Sequence, residues 1–405
     1  MKKAVKILMI LFLCGCSQPA QEEGLSWKNA VYEKSDSMYV LKDIPCNTEV
    51  TMNLFAPDQN MEQAPAVILA NPDSDPVPFV RAGMVVIIPK IRLTCPLGTA
   101  DLKSCIRFLR AHREELQIET ANLSLCGSGI YGTIAASAAV SGNDDTYDTY
   151  LQDAETQMQD AEGNSLSDAV KNVYIDNGCF ESSFADNAYE WMSGQFETDY
   201  RSPDSEARMM SETLADEYAA YISSSEFKDG SLYTVNRNEG PYTEALCAFL
   251  QEADPSITSI EEYAKTYLPA ENAVPVFDTG SSLVSKLYGD LRFNATIHAV
   301  YAANGDTVPA EQWEEELYSK DEHGLTLITR ENLYEPLYYL RIRDDTQRAE
   351  HWHIKVSLKD RITVPCSDFN LILALEENGI DVTSSVQKEM TTWEDDASAW
   401  LSNIH

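Results

Sequence analysis

Ser128 lies in the run Cys126-Gly127-Ser128-Gly129-Ile130-Tyr131-Gly132, between a strand-like "ANLSL" and a helix-like "TIAASAAVSGN". A serine among glycines at a sharp strand-to-helix turn can attack an ester carbonyl. A histidine must then take its proton, and a carboxylate must orient that histidine. Strand and helix nearly touch at such a turn, so the places two before and two after the nucleophile need small residues. For Ser128 those places hold Cys126 and Ile130, and a β-branched side chain is hard to fit there. Six histidines could supply a base. His351 and His353 lie in or beside a strand-like run, where a ring is more often packed or solvated than catalytic. His112, His298 and His323 have no neighbours that suggest a base, and His405 is the last residue.

The elements that must position this turn follow from periodicity. Ala64–Asn71 and Gly83–Lys90 are short β-branched runs bounded by Pro, Gly and Asp, and read as buried strands. Between Thr99 and Glu115, Leu102, Cys105, Ile106 and Leu109 recur at helical spacing. Val170–Asp176 reads as a further strand, and His351–Asp360 as a late one. A helix follows at "DFNLILALEENG", closed by Asn378-Gly379, and "EDDASAWLSNI" is the last helix. From Cys179 to Pro269 helical patterns run without a convincing strand. Strands alternating with helices imply an α/β fold with a mostly parallel sheet flanked by helices. The organisation expected is a signal peptide over 1–16, a polar tether over 17–37 and a core in two parts, 38–178 and 271–405. A helical cap over 179–270 separates those parts.

Four stretches in this order carry a resemblance: "DLKSCIRFLR" (101–110), the turn ending "AAVSGND" (138–144), "ADNAYEWM" (185–192) and "AEHWHIKVSLKDR" (349–361). Together they resemble the subtype B tannase and carboxylesterase-like family of α/β-hydrolases, from about residue 40 to the C-terminus. The resemblance implies ester hydrolysis by a Ser-Asp-His triad. Matching the strand and the downstream "SGN" without a gap puts Gly129 on the nucleophile position, where no oxygen is available to attack. Asp360 falls on the triad acid. The base should precede the last helix, but "SSVQKEMTTWEDDASAW" contains no histidine. Ile362 replaces the second acid of the family's DRD run, which in tannases meets galloyl hydroxyls. Tyr131 occupies the second small position, where its ring would partly fill the space before Gly129.

The N-terminus adds a location. Lys2, Lys3 and Lys6 precede the apolar run Ile7–Leu13, which is too short to span a bilayer and is built like a secretory signal. It ends in Leu13-Cys14-Gly15-Cys16, which reads as a lipobox with Cys16 as the lipidated residue; an ordinary signal cleaved near Ala20 is the other reading. The expected location is therefore the bacterial cell envelope, outside the cytoplasm, on a lipid anchor. The formal charge is −35, or −38 without the three signal lysines. Such a chain is repelled by nucleic acid. Seven cysteines follow Cys16 (46, 95, 105, 126, 179, 247 and 366), with no CxxC pair and no zinc spacing. One or two bridges are open to them, in no assigned pairing.

Remaining patterns are weaker. The aromatic run Tyr334–Asp345 could line a phenol or sugar cleft, but packing between cap and sheet explains it as well. Glu314–Glu316 and Glu394–Asp396 could hold calcium, although acids in the first turn of the last helix suit its dipole unaided. "GSGIYG" is a poor dinucleotide fingerprint. No cofactor and no metal is called for. The expectation is a catalytically inactive α/β-hydrolase-fold lipoprotein that binds a small-molecule ester, aryl or glycan ligand. The alternative is an active serine esterase using a displaced Ser128 with Asp360. A solute-binding lipoprotein is a third reading, disfavoured by the single-sheet order.

Overall fold

The computed structural model describes residues 25–58, 64–94, 96–178, 180–181, 184–192, 194, 206–224, 239–267, 320–359 and 364–404. Among these residues nine strands form one sheet: β1 (Val31–Glu33), β2 (Met38–Pro45), β3 (Thr51–Pro57), β4 (Ala64–Leu69), β5 (Val85–Pro89), β6 (Ile118–Ser128), β7 (Asn172–Asp176), β8 (His351–Ser357) and β9 (Asp381–Gln387). Their spatial order is β1-β2-β3-β5-β4-β6-β7-β8-β9. The first three strands and β5 pair antiparallel, and every pairing from β5 to β9 is parallel. Central strands such as β5 and β7 are buried along their whole length. That explains why they read as unbroken apolar runs rather than alternating ones.

Two helix layers cover the sheet. On one face, α1 (Val77–Arg81) and the C-terminal helix Glu394–Ile404 seal Val67, Leu69, Val86, Ile88, Cys126 and Tyr174. The opposite face carries the larger core. There α2 (Leu97–Ala111), α3 (Arg113–Leu116), α4 (Gly129–Val140) and α5 (Asp148–Asp153) lie against the middle strands. Between β7 and β8 the described residues are helical: α6 (Ala185–Met192), α7 (Glu206–Ser223), α8 (Pro241–Gln251), α9 (Ile260–Tyr267), α10 (Leu327–Asn332) and α11 (Pro336–Arg341). After β8 come α12 (Pro365–Glu377) and, beyond β9, α13 (Glu394–Ile404). Asn378 caps α12, and Gly379 takes φ +69°, the left-handed ending that Asn-Gly implies.

Three of the resemblance motifs prove to be scaffolding. Lys103 and Arg107 of α2 both pair with Asp168, at 2.8 and 2.5 Å, and the Lys103 and Asp168 side chains are wholly buried. Burial alone would raise the Asp168 pKa, but Lys103 and Arg107 outweigh it and hold the carboxyl below its ordinary range. Lys103 also donates to the Ser141 carbonyl and sits over the Tyr147 ring. Arg110 donates to the Ser167 and Ala169 carbonyls at 2.6 Å. Thus "DLKSCIRFLR" ties α2 to the loop leading into β7. In "ADNAYEWM", Asn187 donates to the Leu214 carbonyl and Glu190 accepts from Ser211, locking α6 to α7. In β8, Trp352 is buried and donates to the Ala349 carbonyl.

Asp168→Ala strands two buried cations and should destabilise the fold by about 3–5 kcal/mol, read from urea unfolding. A loss under about 1 kcal/mol would mean that the pair is not buried in solution.

Candidate functional site

The strand order fixes where a site can sit. The chain leaves β4 through α1 to β5 on one side, then passes through α2 and α3 to β6 on the other side of β4. Such a switch point opens a crevice at the C-terminal ends of β4 and β6. Asn71 lies at the first of these ends, and Ser128 and Gly129 at the second.

Gly129 is the apex of the turn. Ser128, the last residue of β6, has extended φ −127° and ψ 151°, while Gly129, the first residue of α4, has φ +55°. A left-handed conformation costs other L-residues about 1–2 kcal/mol and glycine little. The tight spot is two places earlier: a Cβ on Gly127 would lie 2.8 Å from the Tyr131 carbonyl oxygen. Gly132 sits nearly as close to Ile175. A Cβ on Gly129 would meet nothing within 4 Å, so the space before the apex is open. Tyr131 borders the turn half-buried; burial and the Asp73 charge push its phenol pKa upward.

Ser128 faces a different partner from a catalytic base. Asn71 Nδ2 donates to its hydroxyl at 3.0 Å and to its carbonyl at 3.3 Å, and the Ser128 backbone N–H donates to Asn71 Oδ1 at 2.9 Å. Both edges of one amide thus clamp Ser128 at the crevice. Asp176, at the end of β7, pairs in register with Ser128 and is buried. Neither Asn71 nor Asp176 was singled out by sequence reasoning. A polar residue ending a buried run was the available signal in "ILAN" and "VYID".

None of the four described histidines reaches the turn. His353 lies on β8, two strands from β6, in the row of Tyr174 and Cys126. With strands about 4.8 Å apart, that is roughly 10 Å sideways before the further step to Ser128. Its ring bonds Thr383 and Ser385 at 2.9 and 3.0 Å and stacks on Tyr174. Burial lowers its pKa to about 4, so it stays neutral. His351 meets Asp381, His112 meets Glu115, and His323 packs on Tyr150. His298 and His405 lie outside the described residues, as do Asp360, Ile362, Cys16 and Glu314–Glu316.

The segment between β9 and α13 is held by other side chains. Lys355 of β8 is almost buried and donates to Thr391 at 2.9 Å and Asp396 at 2.6 Å. Lys388 pairs with Asp254 ahead of α9, and Lys359 with Glu389. Trp393 is buried between Phe79 and Tyr174. The acidic start of α13 is thus engaged by Lys355 and by the Asp75 amide, which donates to Glu394. The aromatic run 334–345 is largely packing: Tyr334 and Tyr339 are fully buried, and the Tyr334 hydroxyl donates to the Thr94 carbonyl and accepts from the Gly98 amide.

If Gly129 is the apex, Gly127→Ala should cost about 3 kcal/mol through the backbone clash. Gly129→Ala should cost only about 1 kcal/mol through its φ. Urea midpoints showing the reverse order would misplace the apex. His353 makes a second prediction. Its folded pKa is lowered to about 4, below the ordinary value near 6.5. Across that window the unfolded chain takes a proton that the folded chain refuses, so stability falls as pH drops and levels off below it. His353→Gln should shrink this acid-side loss relative to wild type in urea midpoints taken through the window.

The geometry invites comparison with known folds. No family model matches the sequence, and no curated protein matches it. Solved structures do match. A tannin acyl hydrolase in complex with 3,4-dihydroxybenzoate superposes with TM-score 0.67 at 19% identity, over 91% of this chain and 94% of that one. The Lactobacillus plantarum tannase in an orthorhombic crystal gives 0.66 at 18%, and the Fusobacterium nucleatum tannase 0.68 at 16%, each over 91% of this chain and 95% of theirs. At these identities the likeness is one of fold: the mostly parallel nine-stranded sheet with its flanking helices is the α/β-hydrolase fold as tannases build it.

Proposed function

We propose that this chain is a degenerate member of the subtype B tannase and carboxylesterase-like family, a non-hydrolytic protein that uses the crevice at Asn71, Gly129 and Tyr131 to bind rather than cleave. The observation that carries this is Gly129 itself: it holds the left-handed apex where a nucleophile would stand, with open space above it and no oxygen to project. Two further features support the reading. Ser128 is extended and clamped by Asn71. The segment before α13 has no histidine and is pinned by Lys355. Triad members act as a unit, and losing one removes most of the acceleration.

For the ligand, the favoured class is aromatic. Two of the solved tannases hold 3,4-dihydroxybenzoate and ethyl gallate, and the half-buried Tyr131 ring offers this chain a stacking surface beside the open apex. Ile362 in place of an acid removes one partner for phenolic hydroxyls, which points to a less hydroxylated aryl group than galloyl. The N-terminal segment, read as a lipoprotein signal with Cys16 lipidated, would place this binding protein on the outer side of a membrane.

The experiment exposes the chain to a fluorophosphonate probe and to short aryl esters, then titrates it with 3,4-dihydroxybenzoate and benzoate by calorimetry. The expected result is no covalent label, no turnover, and binding that weakens at least fivefold in Tyr131→Ala. Gly129→Ser should fold and remain unlabelled, because a hydroxyl without a base is a poor nucleophile. Labelling at Ser128, or turnover abolished by Ser128→Ala, would establish the serine-esterase reading instead. Absence of binding by any aryl probe would sink the ligand assignment.

A further inference from the structure

Among the described cysteines, Cys46 and Cys105 stand apart: their sulfurs are 3.3 Å from each other, and both residues are buried. No other sulfur lies within hydrogen-bonding reach of Cys126, Cys247 or Cys366 among the described residues. Cys46 follows β2, and Cys105 lies in the middle of α2 on its sheet-facing side.

The surroundings impose this approach independently of the sulfurs. The turn after β2 is closed by Asn47, whose Oδ1 accepts from the Glu49 and Val50 amides at 2.8 and 2.7 Å. Thr48 fastens that turn to the Ala154 carbonyl through both its amide and its hydroxyl, at 3.1 and 3.0 Å. From the other side, Ser104, the neighbour of Cys105, hydrogen-bonds Thr156 at 2.7 Å, and Asn47 reaches the same Thr156 oxygen at 3.5 Å. The segment around Ala154 and Thr156 therefore holds both cysteines, one on each flank. A bonded pair needs its sulfurs at about 2.05 Å, which side-chain rotation on two facing residues can approach from 3.3 Å.

We propose that Cys46 and Cys105 form a disulfide that staples the β2–β3 turn to α2. The step is thiol–disulfide exchange with an oxidant of the disulfide class, either a protein or a small molecule. One cysteine thiolate attacks an oxidant sulfur and releases one oxidant thiol. The second cysteine thiolate then attacks the mixed disulfide, forms the Sγ–Sγ bond and releases the other oxidant thiol. Two electrons pass to the oxidant, and the two cysteine protons end on its sulfurs or in solvent. In the closed fold, the hydrogen bond with Cys46 and full burial hold the Cys105 thiol protonated, so exchange belongs to folding, before α2 covers the turn. The proposal stands on this packing and not on the chemistry of the Gly129 turn. An exported chain would meet such an oxidant outside the cytoplasm.

The test refolds the full-length chain in a glutathione–glutathione disulfide buffer, blocks free thiols with iodoacetamide, and maps peptides without reduction. The expected product is a linked peptide pair joining Cys46 to Cys105, two hydrogens lighter than the two thiol peptides. Reductant should then lower the wild-type Tm by roughly 5 °C and leave Cys105→Ser unmoved. Both cysteines alkylated, or Cys46 joined to a different cysteine, would overturn the proposal whether or not any variant folds. The same mapping on chain recovered from expressing bacteria separates location from geometry. A bridge formed in the glutathione buffer but not in cells supports the pairing and counts against export.

Discussion

The end of β6 and the start of α4 come so close that Gly127 has no room for a methyl group beneath the Tyr131 carbonyl. Everything at the crevice depends on this approach. With strand and helix so near, the chain must reverse within one residue, and that residue takes a left-handed φ. In a hydrolase the strain is borne by a side chain that repays it in chemistry. Here glycine bears it with little penalty. The close packing constrains residues 127 and 132, whereas residue 129 is constrained only through its φ.

The same separation runs through the chain's densest motifs. Lys103, Arg107, Arg110 and Asp168 are the sort of charged residues that suggest a site, yet they are consumed in holding α2 to the loop before β7. A buried ion network of this kind tolerates no single replacement, since any loss leaves a charge without its counterion. A chain can therefore keep this polar frame whatever groups stand at the crevice. The frame is held by the stability of the fold, and the reacting groups only by activity.

How much of this was legible in the sequence follows from range. The central strands and the α/β class could be read because complete burial writes itself as β-branched runs such as "VVIIP". The antiparallel β1–β3 at the sheet edge escaped notice: Lys42 and Asp43 break the alternation of β2 where its register shifts, and β1 is only three residues long. So did β9, whose "DVTSSVQ" is half-exposed and polar. Strand β6 begins earlier than its apolar stretch, because Glu119 accepts from the Ala121 and Asn122 amides and Asn122 accepts from Lys171, so these polar side chains serve local hydrogen bonds rather than burial. At the crevice, Gly129 was reached through the resemblance, by matching the strand and the downstream "SGN" without a gap. Asn71 was not, because its role exists only through its pairing with Ser128, 57 positions away.

If the crevice binds without cleaving, as proposed, the segment before α13 makes hydrolysis a matter of more than one residue. Lys355 reaches from β8 into that segment as a nearly buried cation, paired with Asp396 and donating a hydrogen bond to Thr391. A histidine placed there as a base would titrate beside this ammonium, which disfavours its protonated form and so weakens it as a proton acceptor. It would also have to displace Trp393 from its place between Phe79 and Tyr174, or sit beside the Lys388–Asp254 pair that ties the segment to the α8–α9 connection. Lys355, Trp393 and the Lys388–Asp254 pair take up the local charge and packing. On the proposed non-hydrolytic reading, a serine placed at residue 129 would still lack a base, because this segment is filled by other partners.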